Sequence, residues 1–222
     1  WLLLIVVPFA KMRNVQPVYF TEEEDGREEV YVPRRAGRIA DGAAVYAANG
    51  CYVCHTQVIR PSFAGSELGR PGWAGFLPNQ DNPVDTRRET TVYDYVGEKF
   101  AQVGLMRQGP DLSNVGNRIE RYVKDPQADA DSPERWVFKH LYAPRKKIKT
   151  YWSTCPSQRH LFETKPAYGQ GSPEAVPGLE GDSLEVLPTD QVRALASYLL
   201  SLKKDDPVPY SINYSRDKKK AE

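Results

Sequence analysis

Cys51, Tyr52, Val53, Cys54 and His55 form a C-x-x-C-H run, whose residue types and spacing can do chemistry together. Two thiols three positions apart can each add to one vinyl group of the same porphyrin. The His that follows is then held beneath the iron, where an imidazole nitrogen can ligate it. Two rival chemistries use the same thiols. A zinc knuckle needs two further ligands, which Cys155 with His140 or His160 could formally supply. A thioredoxin-like redox pair expects a βαβ context, and no such pattern surrounds the motif. The adjacent His and the helical pattern before the motif favour one covalent haem c, with Cys51 and Cys54 as attachment points and His55 as an iron ligand. Covalent haem attachment in turn places the domain outside the cytoplasm.

The elements that must position this motif are few. Residues 37–50 suit a helix, with Ile39, Ala43, Val45, Tyr46 and Ala47 on its apolar face and Gly50 at its end. Tyr93–Phe100 suits a short helix or turn. Ser132, Pro133 and Glu134 open a helix that runs through Trp136, Val137, His140 and Leu141 and stops at Pro144. The clearest helix is the last. Thr189 caps it, Asp190 favours its positive end, and Val192, Leu195, Ala196, Leu199 and Leu200 form its buried stripe before Lys203 and Lys204. Residues 61–92 and 165–188 are rich in Pro and Gly and lack periodicity, so they read as long loops. Residues 14–36 read as a linker with one strand at 29–32, and the polar tail 205–222 as loosely held.

Trp1–Ala10 is apolar and uncharged, about half the roughly 20 residues that span a bilayer. It reads as the end of a transmembrane anchor, residues 1–13, with Lys11 and Arg13 in the headgroup region. The competing readings are a short core segment and a signal-peptide remnant. Of the 222 residues, 40% are hydrophobic and 27% charged, enough for a soluble core. Net charge is +1, so nucleic acid is not an expected partner. The Lys218-Lys219-Lys220 run reads as a solvated tail. Three cysteines, two of them in one motif, do not read as a disulfide framework. Eighteen prolines and sixteen glycines predict long irregular segments.

Beyond the haem motif, Thr56-Gln57-Val58-Ile59-Arg60-Pro61 continues a block that resembles the mono-haem cytochrome c subunit II of cbb3-type cytochrome c oxidases. Further blocks resemble that family in order: Tyr93-Asp94-Tyr95; Arg107-Gln108-Gly109-Pro110-Asp111-Leu112 with Val115-Gly116; His140-Leu141-Tyr142-Ala143-Pro144-Arg145; and Ser153-Thr154-Cys155-Pro156. The resemblance covers most of residues 1–202. It implies a mainly α, cytochrome c-like haem domain over residues 37–204, with long irregular loops and an N-terminal membrane anchor. It also implies a bacterial inner-membrane location with the haem domain on the periplasmic side. The implied function is relay of single electrons to a haem–copper catalytic subunit that reduces dioxygen to water, beside a further cytochrome c subunit. No catalytic residue is expected in such a relay. The two long loops are the candidates for subunit contacts.

The resemblance also bears on the haem surroundings. The segment with Pro110 and Leu112 resembles the loop that cytochromes c pack on the proximal His side. Arg60 and Arg145 lie in family-like blocks and suit haem propionates. An ordinary salt bridge is the other reading of both. The chain departs from the family pattern at Ser62, where Phe is usual, and over 62–106, which looks longer. It departs most at Cys155, where the family has the Met that is the iron's sixth ligand. Cys155 is therefore a candidate sixth ligand, with His160 and Met106 as alternatives and an open position or simple packing of Cys155 also possible. Trp73, Trp136 and Trp152 read as packing or interface residues. Other readings keep the haem but place it in another respiratory assembly, such as a nitric oxide reductase, or in a redox or gas sensor. A zinc-binding structural module is the reading without haem.

Overall fold

The computed structural model describes residues 1–31, 37–75, 85–125, 128, 130–146, 151–181 and 183–209. The predicted loop at 61–92 falls partly outside these residues, as do the end of the predicted 29–32 strand and the C-terminal lysine run.

Seven α-helices and four strands are ordered along the described chain. The N-terminus is helical from Leu2 to Met12, π-helical over Leu2–Val6 and α-helical over α1 (Val7–Met12). Every side chain in it is exposed. Among the described residues no helix is long and apolar enough to cross a membrane. The predicted linker instead contains a small antiparallel hairpin, β1 (Tyr19–Phe20) against β2 (Glu29–Val30), with the single turn α2 (Glu22–Asp25) between them. This segment is ordered by burial. Phe20 and Tyr31 meet edge to face, with centroids 5.9 Å apart, and pack with Val208 in a small second core.

The main core is helical. α3 (Arg38–Ala48) and α7 (Asp190–Leu200) cross closely because Gly42 has no side chain; a Cβ there would lie 2.0 Å from the Ala194 carbonyl oxygen. Tyr46 of α3 and Val192, Leu195, Ala196 and Tyr198 of α7 are buried at this crossing. Thus α7 buries most of its predicted stripe, while Leu199 and Leu200 are only partly covered. Thr189 precedes α7 without capping it; its hydroxyl donates to the Leu161 carbonyl (2.6 Å) instead. α6 (Pro133–Tyr142) starts as predicted, with Ser132 Oγ accepting from the Arg135 amide.

Three features were not expected. α5 (Val115–Tyr122) buries Val115 and Ile119 but has no side-chain cap to announce it. Residues 165–188 are not simply a loop: β3 (Phe162–Pro166) and β4 (Leu184–Pro188) pair antiparallel at its two ends. β3 has one buried residue, so alternation of side chains could not reveal it, and the prolines sit at strand ends where a lost donor matters least. Finally, residues 205–209 are held rather than loose: Asp206 pairs with Arg27, and Val208 is buried. The fold is therefore helices with two small sheets.

Candidate functional site

Gly50 ends α3 in the left-handed region (φ +66°) and leads directly into a one-turn helix, α4 (Cys51–Cys54). Residues three apart share a helical face, so this turn presents both thiols on one side. Cys51 and Tyr52 rest against the main core, and all three cysteines of the chain are free thiols. At His55 the backbone becomes extended, which carries the imidazole out of the turn.

The orientation of that imidazole comes from residues far along the chain. Segment 103–112 is laced onto 52–58 by backbone hydrogen bonds: Leu105 to the Tyr52 carbonyl, Gly109 to that of Cys54, and Leu112 to that of Thr56, all 2.8–2.9 Å. Asp111 reinforces the seam, accepting from Thr56 Oγ1 (2.6 Å) and the Val58 amide (2.9 Å) on one oxygen and from the Ser113 amide (2.8 Å) on the other. Gly109 lies against the His55 ring so closely that a Cβ would be 2.2 Å from Cε1. Pro110 follows, and its carbonyl oxygen is 2.8 Å from His55 Nδ1.

A carbonyl only accepts, so Nδ1 must carry the proton. Burial lowers the imidazole's affinity for a second proton, and Arg118 adds to this, against the opposing pull of Pro110 and Asp111. The ring is therefore neutral near pH 7, and its Nε2 bears the lone pair. This is the tautomer a metal ligand needs, fixed by a backbone partner on the other nitrogen.

Cys155 approaches the same thiols from a different part of the chain. It is close enough to interact electrostatically with both Cys51 and Cys54. Burial pushes the Cys51 thiol up to about 11, and Cys155 adds to that. Burial and Cys54 likewise raise Cys155, whereas the Arg145 guanidinium pulls it down. Arg145 Nε donates to the Ser153 carbonyl (2.9 Å), and the Cys155 amide donates to Ser153 Oγ (3.2 Å).

The other predicted residues are placed as follows. Leu112 belongs to the main core. Arg60 is engaged by the buried Glu67, whose Oε1 it meets through Nε (3.0 Å) and Nη2 (2.7 Å), and Arg107 shares that oxygen. Burial would raise the Glu67 carboxyl, but Arg60 and Arg107 hold it below its usual value. Met106 is exposed and lines an open groove of about 370 Å³ with Thr56, Val58, Arg60, Leu105 and Arg107. His160 Nε2 is bonded to Asn49 Oδ1 (2.7 Å). His140 stacks on Trp136, with centroids 5.0 Å apart. Gly109, Asp111 and Arg118 shape the His55 side and were not singled out from the sequence, although Gly109 and Asp111 flank Pro110. Arg118 lies almost wholly buried and donates to the Asp111 carbonyl (2.6 Å).

Among the described residues, no three His, Cys, Asp or Glu side chains converge as a metal ion held directly by the protein would require. The geometry gives the zinc reading no support. Paired thiols on one turn, beside a neutral imidazole with a free Nε2, fit attachment of a planar macrocycle whose iron the imidazole meets. No protein-family model matches the chain, and no curated protein matches it.

Proposed function

We propose that this chain is a haem c electron carrier. Cys51 and Cys54 would hold the porphyrin through thioethers, each S–H adding across one vinyl group, and His55 Nε2 would ligate the iron. When bound, such a group supplies reversible one-electron exchange between ferric and ferrous iron. The observation that carries the reading is the His55 Nδ1–Pro110 bond directly after a turn that pairs the two thiols. C-x-x-C-H alone is a short motif. The fixed tautomer is a second feature, separate from the motif, that leaves Nε2 as the lone-pair nitrogen.

The chain's own residues do three things in this reading. Pro110 orients the imidazole and sustains its basicity. Gly109 permits the backbone to close against the ring, which excludes water from that side. Asp111 ties Thr56 and Val58 to the same segment, so the ligand's support is rigid.

The membrane context rests on the resemblance described above and on the exposed apolar helix at Trp1–Met12. This helix is read as the end of an anchor in a bacterial inner membrane, with the domain on the periplasmic side. The partners proposed are the haem–copper catalytic subunit of a cbb3-type oxidase and a further cytochrome c subunit.

Mass spectrometry and visible absorption of the native protein test the reading. One covalent haem per chain and a Soret band with c-type α and β bands on reduction are expected. A colourless sample with the mass of the bare polypeptide would overturn it.

A further inference from the structure

The open groove beside the Cys51–His55 turn joins fixed positive charge to exposed apolar walls. It measures about 370 Å³ and is lined by Thr56, Val58, Arg60, Leu105, Met106 and Arg107. Leu105 and Met106 are 70% and 53% exposed. One bare apolar side chain on a surface is ordinary, but here two adjoin a pair of guanidiniums in a single groove, and Met and Arg beside apolar area are what protein interfaces favour.

The two arginines are held in place. Arg107 donates through Nε to Thr56 Oγ1 (2.8 Å) and through Nη2 to the Val58 carbonyl (2.9 Å), and its Nη1 pairs with Glu67. Arg60 meets the same Glu67 oxygen through Nε (3.0 Å) and Nη2 (2.7 Å). Glu67 is 1% exposed, and its other oxygen lies against Gly65, where a Cβ would be 2.1 Å away. Two guanidiniums thus share one sequestered carboxylate, and the groove keeps a net positive charge. Arg60 is the more open of the two. Its side chain is 44% exposed, and its Nη1 makes no hydrogen bond among the described residues. The Nη1–Nη2 edge is the one that can take a carboxylate in two parallel bonds. The surrounding charge has the same sign. Segments 51–75 and 99–114 contain two acidic residues, Glu67 and Asp111, both buried, whereas Arg70 and Lys99 are exposed.

We propose that this groove docks an acidic segment of a partner protein, which sets a carboxylate on the outer edge of Arg60 and apolar side chains on Leu105 and Met106. A small anion would satisfy the guanidinium but leave both apolar walls in water. A second copy of this chain, related by a twofold axis, would oppose the same cations to each other. A lipid surface needs only mobile basic side chains over a flat face, whereas these arginines are fixed within a groove. The Leu105 amide donates to the Tyr52 carbonyl (2.9 Å), so a docked partner lies beside the turn that carries the two thiols. That the partner then exchanges electrons rests on the haem reading above; the docking itself does not.

The test measures fluorescence anisotropy of a labelled Glu-Leu-Glu-Phe-Glu peptide with the full chain as purified. Binding is expected, and it should weaken as salt rises. A Lys-Leu-Lys-Phe-Lys peptide should not bind. Leu105→Ser, Met106→Ser and Arg60→Gln should each weaken binding by roughly fivefold or more, and Arg60→Lys should restore only part of it because it lacks the fork. Tyr168→Ser, an exposed aromatic in another segment, should bind as the wild type does. Leu105 and Met106 are exposed, so their variants should keep the wild-type circular dichroism, and the comparison of the two peptides needs no variant. The assignment is overturned by equal binding of both peptides, by binding that the groove variants leave unchanged, or by no binding of the acidic peptide. A haem-loaded chain that refuses the peptide would mean that the haem's own propionate, or nothing, occupies Arg60. Vesicle binding that rises when phosphatidylglycerol replaces phosphatidylcholine, and that Arg60→Gln and Met106→Ser abolish, would assign the face to lipid instead. A dimer in sedimentation that Leu105→Ser dissociates would assign it to a second copy. A colourless chain that binds the acidic peptide as expected would refute the haem reading and leave the docking standing.

Discussion

At the scale of single residues, the site depends on what is missing at position 109. With hydrogen as its side chain, Gly109 allows the Pro110 carbonyl to reach His55 Nδ1. A methyl group would meet the ring at Cε1 and Nδ1. Gly109→Ala is expected to displace the imidazole and to destabilise the fold by about 1–3 kcal/mol, the usual cost of overpacking. Urea unfolding measures the cost, and a shift of the ferric spectrum measures the displacement. Asp111 is the second sensitive residue, because one carboxylate satisfies Thr56, Val58 and Ser113 at once. Asp111→Ala leaves buried donors without their partner and should cost about 1–3 kcal/mol or more, read in the same unfolding experiment.

At the scale of elements, helix crossings and the buried Arg88–Asp94 ion pair hold the parts together. A Cβ at position 42 would collide with the Ala194 carbonyl and with Tyr198 of α7. Gly42→Ala should therefore push α3 and the α4 turn away from α7, at a cost of about 1–3 kcal/mol or more. Thermal unfolding should report a lower Tm, with haem incorporation falling as the turn is displaced. The β1–β2 hairpin depends on Arg88, whose Nη1 and Nη2 both reach Asp94 (2.8 and 2.7 Å) while the Tyr31 hydroxyl donates to the same carboxylate (2.5 Å). Burial would raise the Asp94 carboxyl, but Arg88, Lys204 and Tyr31 hold it below its usual value. Its contribution to stability is thus present above the unfolded pKa, about 3.9, and is lost as pH falls through the lower folded value. Asp205, raised by burial and by Asp206, acts in the opposite sense as pH falls. Hydrogen-exchange protection at Tyr19–Tyr31, relative to the unfolded chain at the same pH, should be high at neutral pH and fall in acid. Asp94→Ala, which leaves Arg88 buried without its carboxylate, should cost about 3–5 kcal/mol and produce fast exchange at pH 7.

At the scale of the whole molecule, the N-terminal helix and the domain that carries the Cys51–His55 turn are separate in composition but close in the chain. All side chains of residues 1–12 are exposed, while the hairpin that begins at Tyr19 is docked through Phe20, Tyr31 and Val208. In the proposed reading the chain leaves the bilayer near Arg13 and is held by the hairpin soon afterwards. The full chain should sediment with lipid vesicles. Removal of residues 1–13 should release it to the supernatant with its haem spectrum unchanged. Sedimentation together with the visible spectrum checks both halves of this expectation.

Local chemistry was legible without a fold. The spacing of Cys51 and Cys54 and the adjacency of His55 are matters of covalent distance, and one helical turn suffices to align the thiols. Ser132 before Pro133 announces α6, and the apolar stripe from Val192 announces α7, because caps and periodicity are properties of short windows. Relations that cross the chain were not legible in this way. The resemblance predicts the segment with Pro110 and Leu112 on the His55 side, but that Gly109 itself lies against the ring and Asp111 bridges Thr56, Val58 and Ser113 is set by packing across the chain. β3 has too little alternation to be seen until β4 supplies its hydrogen bonds. Hairpin β1–β2 resembled a linker because the groups that bury it, Arg88, Asp94 and Val208, come from distant segments. Motif chemistry is set by neighbours along the backbone, whereas ligand orientation depends on which segments pack together. Only the tertiary structure decides the latter.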